Sequence, residues 1–199
     1  MVSISDGNSK IGNIPSVSLP SIITCIECEC NTKCYANKIE RLRPKVRNAY
    51  AKNYQILREQ PDVYWREVES AIMRSLFFRF HVSGDIVDDS YFEHMVDIAK
   101  RNPHCEIMCF TKKYAIVNHY IENNGDSIPS NLHIIFSAWI GLQMTNPFLF
   151  PEAHVRYKDG TTAANTDAKI CNGNCESCAV TEGGCWSLTK GDQVLFEEH

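Results

Sequence analysis

The stretch Phe77-Phe-Arg-Phe-His-Val-Ser-Gly-Asp85 decides the fold class. It is apolar and aromatic, too short for a helix, and it stops at a Ser-Gly-Asp turn, so it predicts a buried strand. On its C-terminal side, Ser90 and Glu93 form a capping-box pattern for a helix carrying Phe92, Met95, Val96 and Ala99, closed before Pro103. Residues 105–111 repeat the buried-strand pattern, residues 114–123 read as a helix that Gly125 can end, and residues 132–139 read as a third strand. On the N-terminal side, Pro44 and Pro61 each open a helix, over residues 44–58 and 61–74. Val46, Tyr50, Tyr54 and Leu57 line one face of the first, and Val68, Ile72 and Leu76 repeat at helical spacing in the second. Residues 16–24 are expected to form a first strand that delivers Cys25 to a loop. Residues 154–158 predict a further strand, with a turn at Asp159-Gly160.

Wholly apolar strands that alternate with helices predict right-handed βαβ units, hence an α/β fold with a parallel sheet covered by helices. The strand ends Ser83 to Asp85, Thr111 to Lys112 and Ser137 then share one rim, where parallel α/β folds bind ligands. The expected organisation is a loose lead-in over residues 1–15, the α/β body over 16–160, and a cysteine-bearing lobe over 161–199.

Ten cysteines in 199 residues need an explanation, because a chain of this length, 44% hydrophobic and 22% charged, does not depend on cross-links to fold. Residues 1–10 are polar and lack a signal-peptide core, and the longest apolar run, residues 132–142, is too short to cross a bilayer. The expected location is therefore cytoplasmic, without membrane association, where clustered thiols point to metal or redox chemistry. A net charge of −4 argues against a protein that coats nucleic acid. One local exception stands out: Lys33, Lys38, Arg41, Arg43, Lys45, Arg47, Lys52 and Arg58 occur with Glu40 as the single acid. That run reads as a solvated helix face or as a guide for a phosphate-bearing or macromolecular substrate.

The cysteines form two groups. Cys25-Ile-Glu-Cys-Glu-Cys-Asn-Thr-Lys-Cys34 places thiols on one loop, where they can converge on zinc or on an iron–sulfur cluster. Cys25, Cys30 and Cys34 form a three-thiolate set that leaves one iron of a cubane open, whereas a closed zinc site would also use Cys28. Cys171, Cys175, Cys178 and Cys185, with Gly173, Gly183 and Gly184 between them, suit a closed centre, either a second [4Fe–4S] cluster or zinc. Cys105 and Cys109 share a face of a strand and read as core packing.

The order of these elements resembles the phage gene product 88 family, itself similar to a compact offshoot of the radical S-adenosylmethionine enzymes. Cys34-Tyr-Ala, His81-Val-Ser-Gly-Asp85, Phe110-Thr-Lys112, Phe136-Ser137 and the terminal cysteines carry the likeness, over roughly residues 18–188. The resemblance implies a partial, incomplete β/α barrel with an N-terminal cysteine loop and a C-terminal cysteine-rich lobe. It implies a [4Fe–4S] cluster on Cys25, Cys30 and Cys34 whose open iron takes the methionyl part of S-adenosylmethionine. Ser83, Gly84 and Asp85 would receive the methionyl ammonium and Lys112 its carboxylate, with Tyr35 and Ser137 completing the cofactor site. A reducing electron donor would be a partner. The superfamily's usual cysteine spacing, x3 then x2, occurs instead at Cys171, Cys175 and Cys178. Two other functions fit the same residues: a zinc-stapled nucleic-acid-binding protein, and a two-cluster electron carrier without S-adenosylmethionine.

Overall fold

The computed structural model describes residues 1–25, 34–139, 141–181 and 183–198. Cys28, Cys30 and Lys33 lie outside the described residues, and so does the expected use of Cys30 as a ligand.

Chain order is β1 (Ile4–Ser5), β2 (Ser16–Val17), α1 (Ser21–Thr24), α2 (Tyr35–Leu42), α3 (Pro44–Glu59), α4 (Pro61–Ile72), β3 (Phe77–Phe80), α5 (Asp89–Arg101), β4 (Glu106–Thr111), α6 (Tyr114–Asn124), β5 (Leu132–Ser137), β6 (Glu152–Arg156), β7 (Lys169–Ile170), α7 (Cys175–Val180) and β8 (Gln193–Glu197). The strands make one open eight-stranded sheet in the order β1-β2-β3-β4-β5-β6-β8-β7. Every pairing is parallel except β1 with β2 at the edge. From β2 to β6 each new strand is added beside the last, so the sheet has no reversal of order in that span. The strand ends expected to share a rim do so.

The pleat sorts the strand side chains into two cores. Phe78, Phe80, Ile107, Cys109, Ile134 and Phe136 point to the face covered by α4 and α5, against Tyr64, Val68, Ile72, Phe92 and Met95. Truncating a fully buried ring such as Phe80 to Ala would cost about 3–5 kcal/mol. Met108, Ile135, Ala153 and Val194 face the other way, against Ala179 of α7 and against Trp186 and Leu188. Cys105 and Cys109 are fully buried, as core packing requires.

Three local expectations change. Residues 16–24 hold a strand only at Ser16–Val17, because Pro20 cannot continue a ladder and instead precedes the short helix α1. The α5 N-cap is Asp88, whose side chain accepts from Tyr91 N, so the Ser90 and Glu93 box is not the cap. The last strand of the body begins at Glu152 rather than at residue 154. The C-terminal segment also carries β8, which lies inside the sheet between β6 and β7.

Candidate functional site

Parallel β3, β4 and β5 bring their C-terminal ends to one cavity of about 300 Å³. Ser83, Gly84, Asp85, Lys112 and Ser137 line it, as does Tyr35. Cys25 and Cys34, the described ends of the N-terminal cysteine loop, line it too. Thus α1 and α2 carry both ends of the cysteine loop to the rim made by the strands. Arg79, His81, Phe110, Trp139 and Phe196 form much of the remaining wall.

The Ser83-Gly84-Asp85 turn is held from several sides. Asp85 is buried, and its Oδ1 accepts from Thr111 Oγ1 at 2.6 Å and Ile86 N at 2.8 Å, while Oδ2 accepts from Lys112 N at 2.9 Å. Burial pushes the Asp85 carboxyl above its usual range, and these hydrogen bonds together with the Lys112 charge act in the opposite sense. Much of its accepting capacity therefore goes to tying the end of β3 to the end of β4. Gly84 has φ +85°, and a Cβ there would lie 2.7 Å from Leu19 O and 2.8 Å from Thr24 Oγ1. Its lack of a side chain lets the chain leading into α1 approach.

A residue that looks like a surface acid in the sequence completes this frame. Glu40 of α2 is 2% exposed, and its Oε1 accepts from Ser21 N at 2.9 Å, Ser21 Oγ at 2.6 Å and Ser83 Oγ at 2.7 Å. Ser21 precedes the cysteine loop, Glu40 follows it, and Ser83 belongs to the turn. Position within a basic run gave no signal of this burial. Tyr35, next to Cys34, donates its hydroxyl to Val82 O, and Tyr114 donates to Ser137 O.

Behind the rim, His81 sits at φ +61° with its ring buried. Its Nε2 shares a 3.0 Å hydrogen bond with the Tyr91 hydroxyl, which lies 2.9 Å from the Tyr64 hydroxyl. Burial, with help from the nearby Arg79 charge, depresses its pKa to about 3. His81 is therefore neutral at physiological pH and acts as a hydrogen-bonding wall residue.

Cys171, Cys175, Cys178 and Cys185 gather on the sheet face opposite α4 and α5, packed with Trp186 and Phe77. Trp186 Nε1 donates to Cys175 O at 3.1 Å and stacks edge-on against Phe77 at 5.1 Å. Arg79 Nη1 donates to Cys175 Sγ at 3.6 Å. Burial pushes the Cys185 thiol up to about 12 and raises that of Cys175. Cys105, Cys109, Cys171, Cys175, Cys178 and Cys185 are free thiols, and among the described residues no three His, Cys, Asp or Glu side chains are grouped so as to hold a metal ion.

Among the described residues, no helix is long and apolar enough to cross a membrane. A protein-family model described as Gene product 88 matches residues 3–146. No curated protein and no solved structure matches the chain.

Proposed function

We propose, from the premise that the chain belongs to the gene product 88 family, a phage protein family, that it is an iron–sulfur enzyme of the radical S-adenosylmethionine type. One observation carries the reading: both described ends of the cysteine loop and three successive parallel strand ends line the same cavity. The chemistry of the side chains at this rim supports the reading. Thiols of Cys25 and Cys34 lie at the wall, with Cys30 of the same loop as the third ligand, and Lys112 and Asp85 offer opposite charges to a zwitterionic ligand beside them. The open sheet, whose strand order advances without reversal from β2 to β6, is read as the wall of an incomplete β/α barrel.

When bound, the [4Fe–4S] cluster supplies the electron for reductive cleavage of S-adenosylmethionine, an electron that a reducing partner must deliver. The protein binds and orients. Glu40 and Ser83 fix the turn that faces the methionyl end, Lys112 pairs with its carboxylate, and Asp85 holds Lys112 in register through the Lys112 N–H. Phe110, Trp139 and Phe196 give the cavity an apolar side that excludes water from the reacting centre. Cys171, Cys175, Cys178 and Cys185 would hold a closed second centre only after drawing together, since they are not grouped around an ion here, and it would support folding or carry electrons rather than bind substrate.

Anaerobic purification followed by iron, sulfide and zinc analysis tests the proposal, together with electron paramagnetic resonance of the reduced protein before and after S-adenosylmethionine is added. The expected result is a cluster signal perturbed by that ligand, with its reductive cleavage abolished by Cys30→Ala or Cys34→Ala and retained by Cys28→Ala. Zinc without acid-labile sulfide would end the enzyme reading and favour a zinc-stapled protein whose basic α2 and α3 face contacts nucleic acid.

A further inference from the structure

We infer that the outward face of α1 and α2 is a docking surface for an acidic protein, one that presents an apolar patch flanked by carboxylates. The inference stands whether or not the cysteine loop holds a cluster. A surface helix normally turns its apolar residues inward and its charges to water. Here α2 does the reverse. Its buried residues are Ala36 and Glu40, while Ile39 and Leu42 are 41% and 61% exposed. Tyr35, also exposed, completes a stripe at i, i+4 and i+7. The short helix α1 is built the same way: Ser21 and Thr24 are buried, whereas Ile23 is exposed and Ile22 is 72% exposed.

Hydrogen bonds hold this inversion in place. Glu40 Oε1 accepts from Ser21 N, Ser21 Oγ and Ser83 Oγ, so a rotation of α2 that buried Ile39 would pull the carboxylate away from all three donors. Ser21 Oγ also lies 2.7 Å from Asn37 Oδ1, which fastens α1 to α2 and puts both exposed aliphatic pairs in one region of the surface. Apolar residues scattered singly over a surface are ordinary, but several gathered on helices whose polar residues point inward mark an interaction site.

Charge selects the partner. Lys38, Arg41, Arg43, Lys45 and Arg47 are all exposed, and among the described residues none of the five has an ion-pair partner. The single acid of residues 34–58, Glu40, is the buried one. In a chain of net charge −4, a cationic rim beside an aliphatic centre is a local reversal. It matches the anatomy of a protein interface, where an apolar core is ringed by polar groups and opposite potentials meet. Nucleic acid would use the cations, and aromatic platforms where its bases are unpaired, but would gain nothing from branched aliphatics at the centre. A second copy docking by two-fold symmetry would set this basic rim against itself. Cys25 directly follows α1, Cys34 directly precedes α2, and both line the rim cavity, so a protein docked here lies next to that cavity.

The test titrates the full-length chain against a labelled synthetic peptide of about 20 residues, long enough to be helical, with a leucine face flanked by glutamates. Fluorescence anisotropy at low salt reads the binding. The parent is expected to bind this peptide and to bind neither its serine-for-leucine nor its lysine-for-glutamate version. Ile39→Ser combined with Leu42→Ser should weaken binding at least about tenfold. Arg41→Gln combined with Lys45→Gln should weaken it several-fold and flatten its salt dependence. All four side chains are exposed, so the melting temperature should stay that of the parent. Should the Ile39 and Leu42 variant not fold, Ile22→Ser combined with Ile23→Ser is read by the same criterion. No binding of the peptide, or equal binding by the parent and the apolar variant, would overturn the inference. Tighter binding of a DNA oligonucleotide or of phosphatidylglycerol vesicles than of the peptide would also overturn it, as would a dimer in sedimentation velocity that the apolar variant dissociates, which assigns the face to a second copy.

Discussion

Glu40 and Ser83, both buried, are joined by a 2.7 Å hydrogen bond between carboxylate and hydroxyl across 43 positions of sequence. Because the same carboxylate oxygen holds Ser21 by both its amide and its hydroxyl, one buried charge closes the base of the cysteine loop and locks it to the strand-end turn. Charge-assisted hydrogen bonds are roughly twice as strong as neutral ones, and their loss strands the donors.

Glu40→Ala would leave Ser21 N and Ser83 Oγ without their acceptor, while Ser21 Oγ keeps Asn37 Oδ1 at 2.7 Å, and should cost about 2–5 kcal/mol, whereas Glu40→Gln keeps an acceptor and should cost about 1–2 kcal/mol. Urea unfolding followed by circular dichroism measures both. A midpoint unchanged in Glu40→Ala would show that the carboxylate does not hold the loop.

Gly84 and Gly125 form a matched pair for separating crowding from backbone strain. Both have positive φ, +85° and +65°, but a Cβ at Gly84 meets Leu19 O at 2.7 Å while one at Gly125 meets nothing within 4 Å. Gly125→Ala should therefore cost about 1–3 kcal/mol, because φ +65° with ψ −169° is a backbone region open essentially to glycine alone, and Gly84→Ala should cost more, since the Leu19 backbone also has to move. Equal losses of melting temperature in the two variants would refute the close approach of the α1 segment to the turn.

The parts of this fold legible in the sequence were those whose signal is local. The strands that became β3, β4 and β5 are short apolar runs bounded by turn residues, and the helices over 44–59 and 61–72 each begin at a proline. Gathering of Ser83, Asp85, Lys112 and Ser137 at one rim followed from parallel pairing alone. What was illegible depends on tertiary burial. Glu40 is indistinguishable in sequence from a solvated acid, and Arg79 is hidden within an aromatic run. β8 carries Gln193 and Glu197 at its ends and gains its place by pairing with β6 and β7. At α5 two capping patterns competed two residues apart, and Asp88 won because its side chain reaches Tyr91 N at 2.8 Å.

His81 links the cavity to acid stability. Its pKa is held near 3 in the folded protein, against 6.5 for the free side chain. The unfolded chain thus takes up a proton between pH 6.5 and about 3 that the folded chain refuses, so the His81 contribution is fully present above pH 6.5 and is lost as pH falls through that window. The limiting loss is on the order of 4 kcal/mol. Asp85, whose carboxyl is raised by burial, acts with the opposite sign and is present in both proteins of the comparison. His81→Asn, which tolerates the positive φ, should be less stable at pH 7 for want of the Tyr91 contact, yet lose less stability than the parent between pH 6.5 and 4. Parallel stability curves for the two proteins over that range would argue that His81 is already solvated.

Asp85 and Thr111 allow positioning to be separated from ligand contact. Thr111→Val removes the 2.6 Å hydrogen bond to Asp85 Oδ1 and also the acceptor of Lys113 N, and should cost about 1–3 kcal/mol. Asp85→Asn keeps one acceptor oxygen, but whichever way its amide turns, an NH2 group faces one of the donors that the carboxylate now satisfies, for a similar loss. Both variants loosen the same junction between the ends of β3 and β4. If Asp85 serves only to hold that junction, the two should weaken S-adenosylmethionine binding alike. The proposed function requires more, because a carboxylate that also receives the methionyl ammonium loses its charge in Asp85→Asn and keeps it in Thr111→Val. At matched stability, calorimetric titration of the anaerobic, cluster-loaded protein should therefore show at least tenfold weaker binding in Asp85→Asn than in Thr111→Val. Equal affinities would confine Asp85 to the framework of the rim.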